Sequence, residues 1–140
     1  MDPNRLDLTF ANRADEAPRM AHRVEHFLNE KKISPALINK ILLCVDELIT
    51  NIIAHAYTDH NEHAVELICK VSNEIIMLEL RDDGVPFDPT KQARRPTAGA
   101  SLENTSIGGL GLHLVTSLMD RVEYEHEGDY NVLRVYKGIE

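Results

Sequence analysis

The sequence predicts an α+β domain: a two-layer sandwich of one mixed, mostly antiparallel sheet with helices covering one face. Three observations carry this. Two helical segments lie between residues 14 and 57, two pairs of short alternating segments at 63–81 and 122–137 read as hairpins, and one apolar helix separates those pairs. Strands joined by hairpins pair antiparallel, and an amphipathic helix must bury its apolar stripe against another element.

The elements follow in order. Leu6-Asp7-Leu8-Thr9-Phe10 alternates and predicts a short strand. Residues 14–31 have helical spacing, with Met20, Val24, Phe27 and Leu28 on one side. Ser34 before Pro35 is a helix start, a hydroxyl cap followed by a proline in the first turn. The second helix then runs to about residue 57, with a broad apolar face formed by Ile38, Ile41, Leu42, Val45, Leu48, Ile49, Ile52 and Ile53. Residues 63–71 and 75–81 form a hairpin around Ser72-Asn73-Glu74. From 84 to about 109 the chain carries Pro86, Pro89, Pro96 and Gly99, and a loop this long inside a compact domain points to function. A helix at 110–119 and a hairpin of 122–126 with 131–137, turning at Gly128-Asp129, complete the chain.

Composition bounds what this domain does. The chain has 140 residues, 43% hydrophobic and 27% charged, which suits one soluble globular domain spanning 1–140. No apolar run approaches the roughly 20 residues a membrane span requires, and the first residues have no signal-peptide pattern. Cys44 and Cys69 lie in apolar segments without metal-type spacing, so they read as reduced core thiols of a cytoplasmic protein. The formal net charge of −8 argues against nucleic acid as a direct partner.

Three segments carry chemistry. On the second helix Glu47 and Asn51 are one turn apart at the edge of the apolar face, with Asp46 on its other edge. An Asn carbonyl oxygen is a suitable ligand for Mg²⁺, and a carboxylate one turn earlier can deprotonate an attacking hydroxyl or water. Asp82, at a strand end and followed by Gly84, can accept a hydrogen bond from an exocyclic amine such as that of adenine, while glycine lets backbone approach a flat ring. Gly108-Gly109-Leu110-Gly111 opens the last helix, where exposed N–H groups and the helix dipole suit phosphates. In this order and spacing they describe a site for ATP and Mg²⁺. No Walker motif, no dinucleotide fingerprint after a strand, no protein-kinase H-R-D set and no nucleophile elbow is present.

Together the three segments resemble the N, G1 and G2 boxes of the GHKL ATPases, and within that group the small anti-sigma-factor serine/threonine kinases. Glu47-Leu48-Ile49-Thr50-Asn51-Ile52-Ile53-Ala54-His55-Ala56-Tyr57 resembles the N box. Arg81-Asp82-Asp83-Gly84-Val85-Pro86-Phe87-Asp88-Pro89 resembles G1, and Gly108-Gly109-Leu110-Gly111-Leu112-His113-Leu114-Val115 resembles G2. The resemblance implies the Bergerat ATP-binding fold, with Glu47 as catalytic base and Asn51 as Mg²⁺ ligand. It further implies Asp82 on the adenine amine, Gly84 beside the base, Gly108, Gly109, Leu110 and Gly111 at the phosphates, and an ATP lid over about 86–107. It implies a homodimer that binds a sigma factor and phosphorylates a STAS-type anti-anti-sigma protein on serine. The chain departs from the pattern at Pro86, where many members have glycine, at Ala56, where related kinases often have glycine, and at Gly128-Asp129-Tyr130-Asn131, where Gly-Thr is common.

Two other readings follow from the same residues. The altered G1 box and the acidic balance also fit a sequestering module that holds nucleotide, or none, without turnover. The catalytic half of a histidine kinase fits less well, since His22 and His26 lie on a short helix built for packing.

Overall fold

The computed structural model describes residues 2–86 and 113–139. The strands are β1 (Arg5–Ala11), β2 (Ala64–Val71), β3 (Ile75–Asp82), β4 (Arg121–Glu127) and β5 (Tyr130–Gly138). The helices are α1 (Glu16–Glu30), α2 (Pro35–His55) and the short α3 over 113–118. The strand order is β1-β2-β3-β5-β4, and every neighbouring pair is antiparallel. The expected mixture is therefore absent among the described strands.

The helices start and stop where local chemistry dictates. The Ser34 hydroxyl accepts from the Leu37 N–H at 3.3 Å and Pro35 opens α2. Helix α2 ends at His55, capped by Ala56, slightly short of the expected residue 57. Gly128 takes φ +60° as the first of two turn residues between β4 and β5, a conformation that glycine adopts without strain.

One core joins the layers. Met20, Val24, Phe27 and Leu28 of α1 and Ile38, Ile41, Val45, Leu48, Ile49 and Ile52 of α2 are buried against the sheet. The apolar side of α1 is thus used within the fold. The sheet meets the helices with Leu8 and Phe10, with Val65, Leu67 and Cys69, with Ile76, Leu78 and Leu80, and with Leu133 and Val135. Both cysteines are free and fully buried, and burial pushes each thiol up to about 12, so they are inert packing groups. Val115 and Met119 bring α3 onto the same core.

The period of two along a strand then places the site. Positions 76, 78 and 80 of β3 face the helices, so Asp82 does too; positions 135 and 133 of β5 do, so Asn131 does. Asp82 and Asn131 are direct register partners. At this end of the sheet two buried polar residues replace the apolar series.

Candidate active site

The site forms where α2 passes over that polar end of the sheet. Asn51, Ile52 and His55 of α2 with its cap Ala56, Asp82 at the end of β3 and Val85 after it, Tyr124 of β4, and Asn131 and Leu133 of β5 line a pocket that opens to solvent. Its exposed wall is mostly apolar, and Asn51, Asp82 and Asn131 add polar groups, a mixture that suits a small organic ligand.

Asp82 is 6% exposed. Its Oδ1 accepts from the Gly84 N–H at 2.9 Å and from Asn131 Nδ2 at 3.0 Å. Burial raises the Asp82 carboxyl above its ordinary value, and the two hydrogen bonds from Asn131 and Gly84 work against that rise. No ion pair reaches it among the described residues. Glycine at 84 is required by packing: a Cβ there would lie 2.3 Å from the Ala56 carbonyl oxygen. The Val85 N–H donates to that same oxygen at 2.8 Å, tying the turn after β3 to the end of α2. The turn is held from its other side by Tyr57, whose hydroxyl donates to Asp83 at 2.8 Å and whose ring stacks on His63 at 4.1 Å.

Asn51 is 9% exposed, and its side-chain oxygen is buried with no hydrogen-bond partner among the described residues. Such an orphaned carbonyl oxygen costs free energy unless something satisfies it. It lines the pocket that Asp82 lines. A neutral oxygen donor of this kind is what a hard cation accompanied by phosphates and waters takes, so the residue fits Mg²⁺. Glu47 is half-buried one turn earlier on α2, just outside the pocket lining. Burial, with Asp46 adding to it, raises its carboxyl above the ordinary value and makes it a stronger base.

Of the expected residues, Asn51 and Asp82 share the pocket, Gly84 binds Asp82 in the turn beside it, and Glu47 lies one turn from Asn51 on α2. Gly108, Gly109, Leu110 and Gly111 lie outside the described residues, as does the expected lid apart from Pro86. Sequence reasoning did not assign Asn131, His55 and Tyr124 to the site. Two signals were available: Asn131 is a polar residue at a core position of an alternating strand, and His55 continues the one-turn series of Glu47 and Asn51.

Among the described residues no helix is long and apolar enough to cross a membrane. The family model of the histidine kinase-like ATPase domain matches residues 10–137. The serine/threonine-protein kinase BtrW of Bordetella bronchiseptica is 32% identical over 110 residues, covering 79% of this chain and 77% of that protein. An anti-sigma F factor of Oceanobacillus iheyensis is 28% identical over 122 residues, covering 86% of this chain and 82% of that protein. The solved RsbU and RsbW domains of Rv1364c from Mycobacterium tuberculosis share the fold, with TM-score 0.63 at 12% identity; the match covers 95% of this chain and 31% of that one. With the polar end of the sheet, the N-box helix and a family match over nearly its whole length, this chain belongs to the histidine kinase-like ATPase domain family.

Proposed function

We propose that the chain is an ATP- and Mg²⁺-dependent serine/threonine protein kinase of the anti-sigma type, binding a sigma factor and phosphorylating a STAS-type anti-anti-sigma protein. The observation that carries this is the orphaned Asn51 oxygen, sharing a pocket with Asp82 and one turn from the basic carboxylate Glu47. The names of the relatives, a serine/threonine kinase and anti-sigma F factors, support the partner class.

The chemistry divides among this chain's residues. Asp82 receives the exocyclic amine of adenine, and Ile52, Val85 and Leu133 enclose the ring. The Asn51 oxygen would hold Mg²⁺, which when bound would supply positive charge for the phosphates of the nucleotide. Glu47 takes the proton of the serine hydroxyl as its oxygen bonds to the γ-phosphorus; the bond from that phosphorus to the β-bridging oxygen breaks and ADP leaves with the electron pair. Gly108, Gly109, Leu110 and Gly111 serve the phosphates through backbone N–H groups.

The test is transfer of labelled γ-phosphate to a purified anti-anti-sigma protein of the same organism. Glu47→Ala should abolish transfer while ATP still binds. Normal transfer by the variant would remove Glu47 from its role. ATP binding by the wild type without any transfer would leave the sequestering module, the reading that Pro86 in the G1 turn favours.

A further inference from the structure

Asn131 makes more contacts in the site than a wall residue needs. Its Oδ1 accepts from the Tyr124 hydroxyl and lies 3.1 Å from His126 Nδ1. The carboxylate and two carbonyls on its other side only accept, so they fix that end of the carboxamide as the amino group. There Nδ2 lies 3.0 Å from Asp82 Oδ1, 3.2 Å from the Gly84 carbonyl and 3.0 Å from the Val85 carbonyl. An amide nitrogen carries two hydrogens, and here three acceptors share them. Asn131 therefore has no donor left for a ligand and does not read a base itself.

We propose that Asn131 is a positioning residue that sets the purine selectivity of the site, by occupying Asp82 Oδ1 and turning Oδ2 toward the base. This rests on the reading of Asp82 as the acceptor for the base. Both hydrogen bonds to Asp82 fall on Oδ1, while Oδ2 takes none among the described residues and Asp82 lines the pocket. An ionised carboxylate only accepts, so the free oxygen favours a purine with an amino group at that position and disfavours one with a carbonyl oxygen.

Two departures of this chain from the family pattern meet at this contact. Asn131 closes the segment Gly128-Asp129-Tyr130-Asn131, where Gly-Thr is common, and Pro86 stands where the second glycine of the G1 box is common. A threonine hydroxyl has one hydrogen and cannot serve three acceptors. The carboxamide instead pins the carbonyls of Gly84 and Val85, the two residues just before Pro86, whose ring fixes its own φ. The turn that carries Asp82 is thus held by a side-chain clamp in place of the usual residues.

The experiment compares binding of ATP and ITP, which differ at the purine 6-position and carry the same triphosphate, in wild type, Asn131→Ala and Tyr124→Phe, each with Mg²⁺. Wild type should prefer ATP by about tenfold or more. Asn131→Ala should bring that ratio close to unity chiefly by weakening ATP, leaving ITP affinity nearly unchanged. Tyr124→Phe, which removes one of the two groups that orient the carboxamide, should lower the ratio in part. A folded Asn131→Ala that keeps the wild-type ratio overturns the inference and leaves Asp82 as the base acceptor. If that variant does not fold, an unchanged ratio in Tyr124→Phe overturns it. Equal affinity of wild type for both nucleotides, or none for either, fails the reading of Asp82 and the inference with it.

Discussion

The two faces of the sheet both hold buried polar side chains, and they treat them in opposite ways. On the outer face Glu79, 8% exposed, accepts from Arg134 Nε at 2.8 Å, and Arg134 reaches Glu125 at 2.7 Å with its other end. Arg121 pairs with Glu123 and lies over the Tyr136 ring, Arg81 lies over Tyr130, and Arg5 pairs with Asp7. Ile68, Met77 and Val132 stay buried on that face, with Glu79, Tyr136 and Arg81 as their register partners. Charges there close on one another within the chain. On the helix-covered face Asp82 and Asn51 are just as buried, yet among the described residues neither has an ion pair and the Asn51 oxygen has no hydrogen-bond partner. The difference separates structure from function. A polar group satisfied inside the chain stabilises the fold, whereas one left open at a pocket is a group that a ligand completes.

Substitutions on either face can break this contrast. The largest effect expected is Asp82→Asn, which removes the charged acceptor: ATP affinity should fall by about 100-fold, while the melting temperature holds or rises because a desolvated carboxylate is gone. Calorimetry beside a thermal melt reads both. Arg134→Ala should do the reverse. It strands Glu79 without its cation and should cost about 1–3 kcal/mol of stability in denaturant titration, with ATP affinity unchanged. Loss of ATP binding in that variant would mean that the two faces are not separable.

Gly84→Ala sits between these cases. The added Cβ meets the Ala56 carbonyl, so the turn must move, costing about 1–2 kcal/mol and weakening ATP together with stability. A smaller effect is expected at Asp46, which helps to raise the Glu47 carboxyl. Phosphate transfer requires ionised Glu47, so the acid limb of the rate profile should lie above the ordinary carboxylate value, and Asp46→Asn should move it to lower pH. The smallest effect is expected at Glu16, which Arg19 chiefly, and the Ala11 N–H next, hold down from 4.5 to about 2. Its folded value lies below its ordinary one, so its contribution is fully present above about pH 4.5 and is lost as pH falls toward 2. Glu16→Gln should flatten stability against pH in that window alone.

Much of this was legible in the sequence because it is periodic or chemically local. The apolar faces of α1 and α2, the Ser34-Pro35 start and both hairpins follow from spacing and turn residues, and the N and G1 boxes singled out Glu47, Asn51, Asp82 and Gly84 as candidates. What sequence did not yield depends on register. That Asp82 faces Asn131 follows only when β3 and β5 are paired residue by residue, since the two lie 49 positions apart in the chain. Read alone, the last strand shows Asn131 only as a polar residue at its start. Only the pairing shows that it holds the site's carboxylate.

The most direct measurement is calorimetric titration with ATP, with and without Mg²⁺, of wild type and Asn51→Ala. Wild-type binding that strengthens with Mg²⁺, and loses that dependence in Asn51→Ala, is the expected result. No detectable binding at millimolar ATP, or the same Mg²⁺ dependence in the variant, would contradict the assignment of the orphaned Asn51 oxygen to the metal and its nucleotide.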